Sequence, residues 1–230
     1  MIRSTLRRLA RDRSGVALVE FAMGLPVLLL ATCYGVETAN YAVTHLRVSQ
    51  LSLALADNAS RVGVSQLASQ QLREVDINDV LQASRLSGDR INVTKYGRVT
   101  LSSLEADTNG VQRIHWQRCL GLKTGATYIS HYGTTPTNAG SDTGTAYQGT
   151  QVTGMGPTDA KVTAPPLSGV MFVEINYEYQ PLFGDWLLGK RVIHYPSSFI
   201  VRDRRDFRQI YNPNPSVAAG DKLTCDRFTA

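Results

Sequence analysis

The stretch Gly15-Val16-Ala17-Leu18-Val19-Glu20-Phe21-Ala22-Met23-Gly24-Leu25-Pro26-Val27-Leu28-Leu29-Leu30-Ala31-Thr32-Cys33-Tyr34-Gly35-Val36 sets the frame for everything around it. From Val16 to Val36 it holds one charged residue, Glu20, in 21 positions. A helix rising ~1.5 Å per residue makes that run about 31 Å long, which matches a hydrocarbon core of ~30 Å. Arg3, Arg7, Arg8, Arg11 and Arg13 precede it against a single acid, Asp12, and the next basic residue is Arg47. This one-sided cluster is the positive-inside signal, so the N-terminus is expected in the cytoplasm and the bulk of the chain outside.

The rest of the composition is that of a globular protein. The chain has 230 residues, 43% hydrophobic and 19% charged, with three Cys. Disorder throughout, a disulfide-dense miniprotein and a multi-span transporter are all excluded by these values, since only one segment is apolar enough to cross a bilayer. The formal net charge is +5, of which residues 1–15 carry +4. The basic excess is therefore a short arm rather than a surface, and nucleic acid is not an expected partner.

Glu20 is out of place in a plain anchor, because a carboxylate within a membrane helix costs on the order of 2.5–3.5 kcal/mol near its centre. In a chain that began at Val16, Glu20 would be the fifth residue, roughly 6 Å along the helix. There its carboxylate meets an α-amine, its own or a neighbour's, and holds it protonated. The alternative is a carboxylate that snorkels to the headgroups. Gly15 followed by Val16-Ala17-Leu18-Val19-Glu20-Phe21 resembles the processing site of type IV prepilins. The wider pattern, Arg11-Asp12-Arg13-Ser14-Gly15, then Glu20-Phe21, then Leu25-Pro26 before a Leu run, is similar to TadE-like pseudopilins of the tight-adherence (Tad, or Flp) pilus machinery. The resemblance covers about 30 residues and implies cleavage after Gly15 by a prepilin peptidase, Val16 as the new N-terminus, and Glu20 as the assembly carboxylate. It also implies other pilins or pseudopilins and the inner-membrane Tad assembly platform as partners, with surface attachment and biofilm formation as the setting.

Pro26 falls ten residues after Val16 and predicts a kink, because it removes one helix hydrogen bond. Leu30-Ala31-Thr32-Cys33 resembles a lipoprotein lipobox, with Thr32 departing from the usual small residue before the Cys. That leaves a membrane-anchored or lipidated envelope binding protein as the competing reading. Otherwise Cys33 is a small apolar residue of the span.

Beyond the span, Glu37 to about Val62 lacks Pro and Gly, and Val43, Leu46, Leu51, Leu55, Ala59 and Val62 recur at helical steps. This predicts an amphipathic continuation ending at Gly63, then a second helix with Asp76 as N-cap and Gly88 as its end. Val173, Ile175, Tyr177 and Tyr179 alternate with Glu174, Asn176, Glu178 and Gln180, the pattern of a half-buried antiparallel strand. Arg98–Leu104, Val111–Cys119 and Arg191–Val201 are further strands, with Pro196 marking a bulge or an edge. Residues 124–169 hold 11 Thr and 8 Gly in 46 positions and read as a long surface loop or loosely ordered insertion. Cys119 and Cys225 are a disulfide candidate in an exported region.

Catalytic signatures are missing from the sequence. The histidines at 45, 115, 131 and 194 have no metal-ligand spacing, Gly154-Met155-Gly156 lacks the remainder of a phosphate-binding fingerprint, and no Gly-x-Ser-x-Gly elbow occurs. Arg202-Asp203-Arg204-Arg205-Asp206 with Arg208 reads as a solvated, self-paired edge. The expectation is a non-enzymatic α+β protein without metal or cofactor: leader 1–15, transmembrane helix 16–36, amphipathic helical stalk 37–88, and β-rich exported head 89–230. A long N-terminal helix is expected to pack its second half on an antiparallel sheet. The expected location is the inner membrane, crossed once, with the head periplasmic or extracellular.

Overall fold

The computed structural model describes residues 14–65, 69–140 and 149–230. Residues 1–13 of the expected leader and 141–148 of the expected insertion lie outside the described residues. Helix α1 runs Ser14–Arg61, continuous through Pro26. It is followed by β1 (Val64–Ser65), β2 (Gln70–Gln71), α2 (Glu74–Ser87), a 3-10 turn (Asp89–Ile91), α3 (Val93–Tyr96), β3 (Gly97–Ala106) and β4 (Gln112–Leu120). Then come β5 (Thr150–Val152), β6 (Gly169–Glu178), α4 (Asp185–Leu188) and β7 (Val192–Ile200). The fold is α+β, with a five-stranded antiparallel sheet in the order β5-β4-β3-β6-β7. The chain divides into two compact units, one of residues up to Ala42 with Pro181–Gly189, the other of Val43–Gln180 with Lys190–Ala230.

In the larger unit, helix residues 43–61 pack on one face of the sheet. The buried stripe is Thr44, Val48, Leu51, Ser52, Leu55, Ala56 and Ala59, a 3.6-residue period. Val43 and Leu46, expected in this stripe, are 42% and 62% exposed instead, because they lie on the opposite side of the helix from Val48. Ser52 fixes the register of helix on sheet: its Oγ lies 2.6 Å from Ser197 Oγ on β7. At the helix end, Gly63 takes φ +144°, where a Cβ would strike Gln70, so the expected stop holds. The charge run contributes here too, against expectation. Arg205 is buried, and its Nη2 donates to Ala59 O and Val62 O, supplying donors to the last carbonyls of α1. Burial lowers its guanidinium to about 10, which leaves it charged at neutral pH. Asp206 and Arg208 are self-paired, as expected.

Helix α2 begins at Glu74, two residues before the expected cap. Asp76 stands in the first turn, where its Oδ2 accepts the Arg73 backbone N–H at 3.0 Å. Its role is thus to reach back to the cap position, not to occupy it. Gly88 ends the helix as expected.

The half-buried reading of β6 is corrected. Every residue of Gly169–Tyr177 is buried, on both faces. Val173, Ile175 and Tyr177 share a face with Val99, Leu101 and Gly97 of β3, while Glu174 and Asn176 share the other with Thr100 and Arg98. That second face is covered by the Thr/Gly-rich segment, which is therefore not a loosely held surface loop in its described parts. It packs Met155, Ala164 and the partly buried Tyr132, Val152 and Val162 against Leu104, Ile114, Val170 and Phe172. Its backbone has little ladder to join, so polar side chains of the sheet serve instead. Gln117 bonds Gly133 O and Thr135 N, Asn176 bonds Tyr128 O and Ile129 O, and Gln112 bonds Ala164 at both N and O. Pro196 sits on edge strand β7, where its missing N–H costs no ladder bond.

Candidate functional site

The expected processing and assembly residues fall within the first two turns of α1. Gly15 is in its first turn, and a Cβ built there meets nothing within 4 Å. Val16 is 52% exposed, and Glu20 is exposed one turn further on. Around them a dozen large apolar side chains between Val16 and Val36 stand exposed on all sides of the helix. Leaving such side chains in water costs about 1.5–3 kcal/mol each when full exposure is maintained, so the segment as a whole forgoes on the order of 20 kcal/mol. An all-round apolar helix is either buried in protein or in lipid, and none of its most apolar window is buried in this chain. The helix is long and apolar enough to cross a membrane. Two of its hydroxyls are satisfied within it: Thr32 Oγ1 donates to Leu28 O and Thr38 Oγ1 to Tyr34 O, both at 2.8 Å.

Cys119 and Cys225 form a disulfide, with Cα atoms 4.7 Å apart. It ties the C-terminal segment to β4, and Arg98 of β3 also holds that segment by donating to Cys225 O at 2.6 Å and to Arg227 O at 3.1 Å. Cys33 is a free thiol in α1.

Two polar clusters of the head were not legible beforehand. Ser103 and His115 both reach Glu105, at 2.6 and 2.8 Å, and all three are buried. The serine gives its hydroxyl to the carboxylate and not to the imidazole, so this trio lacks the serine–histidine contact of a hydrolytic triad. His131, Glu174 and His194 bring one ligand atom each within 4.8 Å of one another. Glu174 accepts the His131 backbone N–H at 2.8 Å and the Ser130 hydroxyl, and burial raises its carboxyl above the usual range. His194 gives Nδ1–H to Asn176 Oδ1 at 2.6 Å, and its Nε2 faces the Tyr132 hydroxyl at 3.2 Å. Burial, reinforced by His131, lowers His194 to about 4. Two imidazoles and a carboxylate are donor types that suit zinc. With Asn176, Tyr132 and Ser130 already satisfying it, the cluster works as the hydrogen-bonded seat of the insertion. The β6–β7 register sets Asn176 opposite His194, which alternation alone does not specify, and residues 130–132 arrive from a loop whose path leaves no periodic trace.

No protein-family model, curated protein or solved structure matches this chain.

Proposed function

We propose that the chain is a minor pseudopilin of the tight-adherence type, inserted in the inner membrane by its N-terminal helix and acting in pilus assembly rather than in catalysis. The observation that carries this reading is the apolar stretch of α1 from Val16 to Val36, exposed at every position but Cys33, with its lone carboxylate, Glu20, one turn after Val16. A membrane anchor alone needs no such carboxylate. A helix that leaves the bilayer to join a bundle does, because an amine at Val16 of one subunit and a carboxylate at Glu20 of the next neutralise each other away from water. Prepilin peptidase removes the leader on the cytoplasmic side, and the helix then packs with other pilins or pseudopilins on the inner-membrane assembly platform. Pro26 kinks the helix within that bundle, freeing the Ala22 carbonyl for a neighbour. The head stands outside the cytoplasm.

The test is the N-terminus of the mature protein, read by mass spectrometry from native membranes. The expected chain starts at Val16, and Gly15→Ala retains the leader. Since an added methyl at Gly15 meets no neighbour, that variant reports on the peptidase and not on folding. A chain starting at Met1 or at an acylated Cys33 would replace this proposal with the envelope-tethered binding protein.

A further inference from the structure

We propose that Pro181–Gly189 is a membrane-interface loop, whose Leu182, Phe183 and Trp186 insert among the headgroups and upper acyl chains of the leaflet from which α1 emerges. The proposal rests on the reading of α1 as a membrane span and assigns a second lipid contact to the same unit.

Glu37 is the first residue after the apolar run and is fully buried. Its Oε2 accepts the backbone N–H groups of Leu182 at 3.0 Å and Phe183 at 3.1 Å. Two charge-assisted bonds to successive amides hold the loop at one level of the helix. That level is the end of a run of about 31 Å that begins at Val16, the depth at which a spanning helix leaves the hydrocarbon. The loop clusters with the helix as one compact unit, although in sequence it interrupts the connection between β6 and β7.

Its composition suits that depth. Leu182 is 61% exposed, Trp186 63% and Phe183 39%, three large apolar side chains within five residues. The Trp186 indole N–H donates to Phe183 O at 2.5 Å, so the ring carries no unmet donor into an apolar layer. Tryptophan concentrates at this interface in membrane proteins. The backbone sets the opposite limit. Gly184 and Gly189 take φ values of +82° and +68° in irregular turns, and Asp185 is exposed. Irregular lipid-exposed backbone is not tolerated in the hydrocarbon core, so the loop belongs at its boundary. Lipid is the occupant because these side chains continue the exposed apolar surface of α1 past its last spanning residue.

The full chain, reconstituted in phosphatidylcholine–phosphatidylglycerol vesicles, tests this through its two tryptophans. Trp116 is buried in the head, and subtracting the emission of Trp186→Phe isolates Trp186. Lipids brominated near the headgroup end of the acyl chains are expected to quench about half of the Trp186 emission, while aqueous iodide has little effect. Glu37→Ala should leave the chain on the vesicles and reduce the bromolipid quenching. Iodide quenching without bromolipid quenching, in a chain that still floats with the vesicles, overturns the loop and leaves the span intact. Shielding from both quenchers overturns it in favour of a protein contact. A chain that fails to float removes the span and the loop together.

Discussion

Arg118 and Glu74 carry the head's most exacting pairing. Their side chains are 1% and 0% exposed. Arg118 Nε donates to Glu74 Oε2 at 3.1 Å, Nη2 donates to Oε1, and Nη1 donates to Gln117 O at 2.9 Å. Glu74 is also the first residue of α2, where the unpaired N–H groups of the first turn favour an anion. Removing either partner strands a buried charge. Arg118→Met is therefore expected to lower the unfolding free energy by about 3–5 kcal/mol. Pairing it with Glu74→Leu should cost clearly less than the two single changes summed, since both lose the same interaction. Denaturant titration of the full chain in detergent checks this, and strict additivity would show the pair to be uncoupled. The sequence placed Arg118 in its strand but put Glu74 just outside the second helix, which begins at that residue. It did not disclose the pair, because nothing across a sequence separation of 44 encodes contact.

At the scale of elements, the four long strands, the helix end at Gly63 and the disulfide partners were legible, since each depends on local chemistry or on two cysteines in an exported region. The second buried face was not. Alternation on β6 is read as core against water, and Glu174 and Asn176 look like the wet side. They are buried because polar side chains are what a Thr/Gly-rich segment needs beneath it, with its carbonyls and amides otherwise unmet. The seat is pH-sensitive through His194, which is faced by His131, Tyr132, Asn176 and Glu174. Its folded value of about 4 lies below its ordinary 6.5. The unfolded chain thus binds more protons between those values, so this contribution is complete above pH 6.5 and is lost as pH falls towards 4. The thermal midpoint should drop across that window, and His194→Gln should flatten the drop. Glu174 acts in the reverse sense. Its raised carboxyl contributes fully below the ordinary carboxylate value and loses that contribution as pH rises through its folded one. An unchanged profile in His194→Gln would remove the histidine from the account.

For the whole molecule, the compartment of the head tests the orientation and the state of Cys33 tests the choice of reading, and the three cysteines report both. Cys119–Cys225 joins positions 106 apart, and the loop-closure entropy of a ~100-residue loop amounts to about 4–5 kcal/mol. That contribution exists only where thiols oxidise, so it is absent from a head kept in a reducing cytoplasm. Cys33, in the apolar half of α1, stays a thiol if the helix is a plain span and becomes blocked if it is acylated. Cells quenched with acid, denatured and treated with a polymer-linked maleimide should therefore yield a protein shifted by one label, and by three after reduction. Three labels without reductant would place the head in the cytoplasm and reverse the orientation that the N-terminal arginines imply. No label without reductant and two after it would mean an acylated Cys33, and with it the envelope-tethered alternative. Replacing Cys119 and Cys225 together by Ser should lower stability by about 4 kcal/mol. The C-terminal segment should stay in place in that variant, because the Arg98 bonds to Cys225 O and Arg227 O use backbone carbonyls that the substitution leaves intact.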